Sequence, residues 1–173
     1  MDIVSGQRVA LLQQGDLIFV ESFDAWYSRE HDRMITTLAL ATGDLELAKE
    51  GVDEACSRAL ERWKRVSALA SPTGWVYRVA INHARRVARR RSMEQRFFFK
   101  PTHMPDLPSP AGEVWRLVES LSTRQRQVVM LRHVADLSEN EIGVVLGISR
   151  GTVSSTLHDA HQRLGRLLGD DEL

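Results

Sequence analysis

Small and polar side chains line one face of a predicted helix near the end of the chain. Val153, Leu157 and Ala160 recur at spacings of four and three, the spacing of a buried helix face. The opposite face carries Gly151, Ser154, Ser155, His158 and Gln162. Such a face can approach base edges and phosphates closely, so this helix fits a DNA major groove. An ordinary helical hairpin with a solvated face is the alternative interpretation.

A second group of candidate residues is strongly basic. Arg78, Asn82, Arg85 and Arg89 follow each other at spacings of four, three and four within residues 72–91, and Arg86 widens the same side. Trp75 lies near the start of this segment. Arginines can hold a nucleic-acid backbone while aromatic rings stack on unpaired bases, so the pattern favours binding of single-stranded DNA. Trp75 fits a place in the core equally well.

A third group is acidic and lies on the preceding predicted helix, over residues 45–63. Its apolar stripe runs from Leu45 to Trp63, and the other face carries the charged residues. The acidic members of that face are Glu46, Glu50, Asp53 and Glu54. A charged helix face is usually only solvated, but carboxylates can also provide register and a fast encounter with a basic partner.

None of these residues forms a convincing catalytic or metal site. Asp53 and Glu54 are adjacent, so they point in different directions on a helix and make a poor metal pair. His158 and His161 lie one turn apart but lack an evident third ligand. We therefore expect no metal, no cofactor and no enzymatic activity, against the alternative of a small DNA-processing enzyme. Cys56 lies on the apolar stripe, where a small buried side chain is expected.

Composition describes a soluble protein with segregated charge. The 173 residues are 43% hydrophobic and 27% charged, with a formal net charge of zero. Residues 16–57 hold ten acids and three bases, a net charge of −7, and residues 58–100 hold twelve bases and two acids, a net charge of +10. Residues 101–173 have a net charge of −3. One region is thus suited to phosphates and another to a basic partner. No signal peptide or membrane span is evident, so we expect a cytoplasmic protein.

The elements that position these residues are all predicted to be helices. Helical periodicity covers residues 17–41, 45–63, 72–91 and 113–134, with a loop at 64–71 and a break at Ser122. Ser138 and Glu141 form a capping box, Gly147 ends that helix, and Ser149 caps the next. No convincing strand is found. Four prolines within 101–110 and the change of composition predict a flexible linker over 96–112. The predicted fold class is all-α, with domains at 1–95 and 113–173.

In this order the segments resemble the extracytoplasmic-function group of bacterial RNA polymerase sigma factors, over about residues 17–166. GDLELAKEGVDEACSRALERW, residues 43–63, is similar to the family's region 2.2, and residues 72–91, with Arg78, Ala80 and Asn82, to regions 2.3 and 2.4. Residues 121–164 are similar to region 4. The resemblance implies two helical domains that bind core RNA polymerase and promoter DNA, and an anti-sigma factor as a further partner.

The resemblance also implies roles for individual residues. Core polymerase is expected to contact Glu46, Glu50, Asp53 and Glu54. The −10 promoter element is expected to contact Trp75, Arg78, Asn82, Arg85, Arg86 and Arg89. The −35 element is expected to contact Arg124, Arg150, Thr152, Ser154, Ser155 and His158.

The chain departs from the family pattern at several of these positions. Lys49 stands in the polymerase-binding helix where the family usually has an acid, and Asp159 stands where a base is frequent. Ser154-Ser155-Thr156 replaces a more basic run, so weak or unusual −35 binding is expected. The alternative function is a stand-alone helix-turn-helix regulator, which would leave the acidic and arginine-rich helices without a role.

Overall fold

The protein is an assembly of helices preceded by one short hairpin. The structure, a computed structural model, describes residues 9–13, 16–95 and 117–169. The helices of the first half are α1 (Phe23–Thr42), α2 (Leu45–Glu61), α3 (Trp63–Val66) and α4 (Pro72–Gln95). In the second half, residues 117–120 are helical and are followed by α5 (Thr123–His133), α6 (Glu139–Leu146) and α7 (Arg150–Gly169).

Two antiparallel strands precede the helices, and the sequence analysis missed them. Strand β1 (Val9–Gln13) pairs with β2 (Asp16–Val20), with Val9 opposite Val20 and Gln13 opposite Asp16. The prediction of a helix from residue 17 was therefore wrong for its first residues. Ser22 caps α1 by accepting a hydrogen bond from the Ala25 amide at 3.3 Å, which places the start of that helix after the hairpin.

Local capping sets the end of α1 and the starts of α2 and α4 as predicted. Gly43 ends α1 in the left-handed conformation, with φ of 77°, and the Asp44 carboxylate accepts the Leu47 amide at 2.9 Å to start α2. Ser71 accepts the Gly74 amide at 3.1 Å at the start of α4. The short helix α3 lies where the sequence predicted the beginning of a loop. It forms because Val66 is buried in the core.

The core of the first half comes from α1, α2 and α4. Its largest fully buried side chains include Met34, Leu38 and Ile81, and the Tyr77 hydroxyl donates a hydrogen bond of 3.0 Å to Thr37. Cys56 is buried, as expected, but Leu60 is 57% exposed although the periodicity placed it on the apolar stripe. Ala59 in the same last turn of α2 is fully buried, so Leu60 lies on a side of the helix that does not face the core.

The second half is a compact group of helices with the predicted break at Ser122. Ser122 and Gln125 form a capping box that starts α5. Gln127, Val128 and Leu131 are buried in α5, and Ile142 and Val145 bury the inner face of α6. The all-α fold class is confirmed for both halves, and the hairpin is the exception to it.

The two halves pack directly against each other. Helix α5 contacts α1, helix α6 contacts α4, and the buried apolar residues of both halves form one continuous cluster. The predicted linker at 96–112 and the phenylalanines at 97–99 lie outside the described residues. Helix α4 extends to Gln95, four residues beyond its predicted end at 91. Within the described ranges no helix is both long and apolar enough to span a membrane.

Candidate nucleic-acid interface

Helices α6 and α7 form a helix-turn-helix, and its turn is fixed by local hydrogen bonds. Ser138 and Glu141 cap α6 reciprocally, Gly147 ends it with φ of 70°, and the Ser149 hydroxyl accepts the Thr152 amide at 3.1 Å. Gly143 lets the chain pass closely behind α6, because a Cβ there would lie 2.8 Å from the Ile148 carbonyl oxygen. The turn is thus narrow enough to hold α7 across α6.

Helix α7 separates a buried face from an exposed one, as the sequence predicted. Val153, Leu157 and Ala160 are buried against α5 and α6. The exposed residues are Gly151, Thr152, Ser154, Ser155, His158 and Gln162. Their side-chain contacts are local: Ser149 and Thr152 share a hydroxyl hydrogen bond of 2.8 Å, and the Nε2 atoms of His158 and Gln162 lie 2.9 Å apart. This face is therefore accessible to a groove.

The arginines beside this face differ in whether neighbouring groups already bind them. Arg150 is exposed but forms an ion pair of 3.1 Å with Glu139, and Arg124 is exposed at the start of α5. Arg132 donates to the Leu137 carbonyl at 3.2 Å. Asp159 is also exposed on α7, so a carboxylate accompanies the polar face. A phosphate approaching Arg150 would have to displace Glu139.

In α4, most of the basic candidates point to solvent. Arg78, Asn82, Arg86 and Arg89 are exposed. Trp75 is half-buried and packs against the core, so only part of its ring is available for stacking. The arginine-rich surface of the first half therefore exists, with Trp75 at its edge rather than at its centre.

Arg85 is the basic candidate that contacts the second half of the protein. Its Nη2 donates to the Gln127 side-chain oxygen of α5 at 3.3 Å, and the residue is half-buried. Burial, followed by the charges of Arg124 and Arg89, lowers the pKa of the Arg85 guanidinium. Arg85 of the −10 group and Arg124 of the −35 group are thus electrostatic neighbours here.

The acidic candidates lie on the outer face of α2, two of them in local pairs and a third beside α1. Glu46 pairs with Lys49 at 3.0 Å, and Glu54 accepts from Arg58 Nε at 2.7 Å. Asp53 is 67% exposed and lies 3.6 Å from His31 Nε2. Pairs this exposed contribute little stability, so the carboxylates can exchange partners at low cost.

Glu50 differs, because α4 holds both of its oxygens. His83 Nε2 lies 2.9 Å from one and Arg91 Nη2 lies 3.6 Å from the other. Arg86 Nη2 lies 3.1 Å from His83 Nδ1, and since arginine only donates, Nδ1 accepts and the proton is on Nε2. A chain of contacts therefore joins Arg86 on the basic surface to Glu50 on the acidic one. His83 was not among the candidate residues of the sequence, so this bridge was not predicted.

Two further polar contacts tie the halves together. The Arg126 guanidinium lies at the C-terminal end of α1, with Nη2 3.7 Å from where a Cβ on Gly43 would be. A cation there is favoured by the partial negative charge of a helix end. Burial opposes ionisation of Glu141, but hydrogen bonds from Ser138 and from Ser71 of the first half keep the pKa of its carboxyl below the usual value.

Comparison with known proteins agrees with this geometry. The family model described as "Sigma-70, region 4" matches residues 111–164. The RNA polymerase sigma-E factor of Streptomyces coelicolor is 28% identical over 154 residues, covering 84% of this chain and 85% of that protein. The protein of the same name from Streptomyces avermitilis is 28% identical over 163 residues, covering 89% of each.

Two solved structures have a similar fold. The sigma factor RpoE from Bartonella quintana, in complex with the anti-sigma factor NepR, is 16% identical, with a TM-score of 0.72 over 85% of this chain and 96% of that one. CnrH, in complex with the cytosolic domain of CnrY, is 19% identical, with a TM-score of 0.56 over 86% of this chain and 88% of that one.

The match to the sigma-70 region 4 model includes the whole helix-turn-helix. Along most of its length the chain is similar to relatives named RNA polymerase sigma-E factor.

Proposed function

We propose that this protein is a sigma factor of the extracytoplasmic-function group. It binds core RNA polymerase through the acidic face of α2 and engages the −10 element with α4 and the −35 element with α7. The observation that carries the proposal is the order of three surfaces along one chain: acidic, basic and helix-turn-helix. A stand-alone regulator needs only the last of them. Such a protein acts in the cytoplasm and has no catalytic role of its own.

The α2 surface is proposed as the polymerase contact because its carboxylates are exposed and exchangeable. Glu46 and Glu54 pair with the exposed Lys49 and Arg58, and the carboxylate of Asp53 is 67% exposed beside the largely buried His31. Complementary charge at such a surface accelerates encounter and fixes register. Glu50 belongs to the same face but must leave His83 and Arg91 to contribute.

The α4 surface is proposed for the −10 element because it presents exposed arginines that form no ion pair with a carboxylate within the described ranges. Arg78 and Arg89 are exposed, and among the described residues neither forms an ion pair. A displaced strand could follow these cations while the exposed part of Trp75 stacks on a base. Asn82, Arg85 and Arg86 complete the proposed contact.

The α7 surface is proposed for the −35 element, with low affinity. Ser154, Ser155 and His158 would face bases, and Arg124 and Arg150 would hold phosphates. The face supplies few cations, and Asp159 and the Arg150–Glu139 pair oppose phosphate binding. We therefore propose that −35 recognition depends on polymerase to hold the two halves at the promoter.

An inhibitory partner is also proposed. The structurally similar sigma factor RpoE is seen with the anti-sigma factor NepR, and the packed halves of this chain already hold the half-buried Arg85 against α5. A protein that binds this packed form would keep the proposed −10 surface from DNA. The chemistry of the exposed α4 surface favours an acidic segment in such a partner.

Binding to core polymerase, followed by run-off transcription, tests the proposal. We expect stable binding and promoter-dependent transcripts. Arg78→Glu with Arg89→Glu should abolish promoter opening and retain core binding, whereas Arg166→Glu on α7 is the matched charge reversal outside the −10 surface. Open complexes formed by the double variant would contradict the assignment of α4. Failure of the unaltered chain to bind core would leave a stand-alone regulator as the function.

A further inference from the structure

Two histidines from different helices meet at the surface of the second half. His133, the last residue of α5, and His161, on α7, place their Nε2 atoms 3.1 Å apart, with ring centroids 5.3 Å apart and an angle of 54° between the rings. Both residues are exposed. The sequence analysis weighed His161 with His158 as a metal pair, but His158 instead lies against Gln162.

The distance between the two nitrogens suits a shared metal ion. Imidazole nitrogens bind Zn²⁺ at about 2.0–2.1 Å, and two such ligands 3.1 Å apart subtend roughly 95–100° at the ion. That angle is close to neighbouring positions of a tetragonal or octahedral site, the geometries associated with Cu²⁺ and Ni²⁺. A tetrahedral Zn²⁺ site would need the nitrogens a few tenths of an ångström further apart.

Two other uses of the ring nitrogens compete with metal binding. Imidazole binds a metal ion through a nitrogen lone pair, so metal binding competes with protonation of the rings. The two rings can also share one proton in an N–H···N hydrogen bond, which is the competing use of this contact. Among the described residues no group of three or more His, Cys, Asp and Glu side chains could hold an ion. The described part of the chain thus offers two ligands and leaves the other positions to water.

We propose that His133 and His161 form a surface site for a divalent transition metal, Cu²⁺ or Ni²⁺ in preference to Zn²⁺. An ion held there joins the end of α5 to α7. It stabilises the helix-turn-helix by binding the folded state alone. The exposed face with Ser154 and Ser155 precedes His161 by about two turns, so the ion leaves that face open.

Metal titration of the full chain tests the site. Ni²⁺ and Cu²⁺ would be titrated into metal-free protein by calorimetry, and thermal unfolding would be followed with and without each ion. The variants are His133→Ala and His161→Ala, with His158→Ala as the matched control one turn from His161. All three positions are exposed, so equal melting temperatures without metal would show that the variants fold.

One ion per chain is expected, with a rise in melting temperature on binding. Affinity should fall about tenfold or more in each of the first two variants and stay unchanged in the control. Binding that survives His133→Ala but not His158→Ala would assign the ion to the His158–His161 pair and overturn the proposal. The absence of any ion-dependent change in melting temperature would overturn it as well. Neither result bears on polymerase binding.

Discussion

At the scale of single residues, Gly143 sets how tightly the helix-turn-helix can close. An alanine Cβ there would lie 2.8 Å from the Ile148 carbonyl oxygen, which is backbone and cannot move aside cheaply. Gly143→Ala should therefore lower the free energy of unfolding by roughly 1–3 kcal/mol, the usual cost of overpacking. Urea unfolding measures the change.

Gly165 provides the matched control on α7. A Cβ there meets nothing within 4 Å, so Gly165→Ala should raise stability by up to about 1 kcal/mol through helix propensity. If Gly143→Ala and Gly165→Ala proved equally stable, the close passage behind α6 would not exist in solution.

The buried Cys56 thiol makes the stability of the folded protein depend on pH in the alkaline range. Burial, with a smaller effect of the Asp53 charge, raises the pKa of Cys56 from 9.0 to about 12. The folded state thus binds the proton more tightly than the unfolded one. This contribution to stability is complete below pH 9 and is lost as the pH rises from about 9 to 12. Burial also raises the pKa of Tyr77 to about 12, with the same sign.

The urea midpoint should accordingly fall between pH 9 and pH 11 in the unaltered chain. Cys56→Ala removes one of the two groups, so its midpoint should fall less steeply over that range, whatever its stability at pH 7. An identical slope in the variant would show that the thiol ionises as easily in the folded protein as in the unfolded one.

At the scale of elements, the bridge between α2 and α4 predicts unequal roles for the acidic residues. Glu50 must give up His83 and Arg91 before it can serve a partner, whereas Asp53 faces solvent. If α2 binds core polymerase, Asp53→Asn should weaken binding by about five- to tenfold and Glu50→Gln by only about twofold. Competition binding with labelled protein measures both.

Glu119→Gln, an exposed acid in the second half, is the control for the loss of one negative charge. Equal losses at Glu50 and Asp53 would mean that the bridge opens without cost. A larger loss at Glu50 would mean that the bridge itself positions the helix for polymerase.

The helix boundaries could be predicted because their causes are local. Asp44, Ser71, Ser138 and Ser149 each accept a backbone amide hydrogen bond two or three residues ahead, and a sequence shows that spacing directly. The hairpin was missed because each strand has only five residues, and the apolar residues from 17 onward also fit a helical period. Gly15-Asp16 between the two runs was the available turn signal.

At the scale of the whole molecule, the sequence predicted which surfaces exist but not that some of them meet. Arg85 was assigned to DNA from its spacing along α4, and nothing in that spacing indicates Gln127, 42 residues away. The same holds for His133 and His161, which are 28 residues apart. Contacts across helices depend on how the helices pack, which a single sequence does not display.

The packing of the halves leads to a last prediction, about the equilibrium between packed and open forms. Arg126 lies at the end of α1, its Nε is buried without a hydrogen-bond partner, and Gln127 accepts from Arg85. A few polar contacts of about 1 kcal/mol each, plus shared apolar burial, hold this arrangement. Arg126→Ala with Gln127→Ala should therefore shift the chain toward an open form and free Arg85.

Two measurements follow that shift. Scattering of the packed chain should give a radius of gyration near the ~16 Å of a compact chain of this length, and the variant should exceed it by several ångströms. Affinity for single-stranded −10 DNA without polymerase should rise about three- to tenfold, because the DNA no longer competes with α5 for Arg85. Arg163→Ala, exposed on α7, should change neither. A variant that stayed compact with unaltered DNA affinity would show that the packed halves do not limit access to α4, and Arg85 would then act from within the packed form.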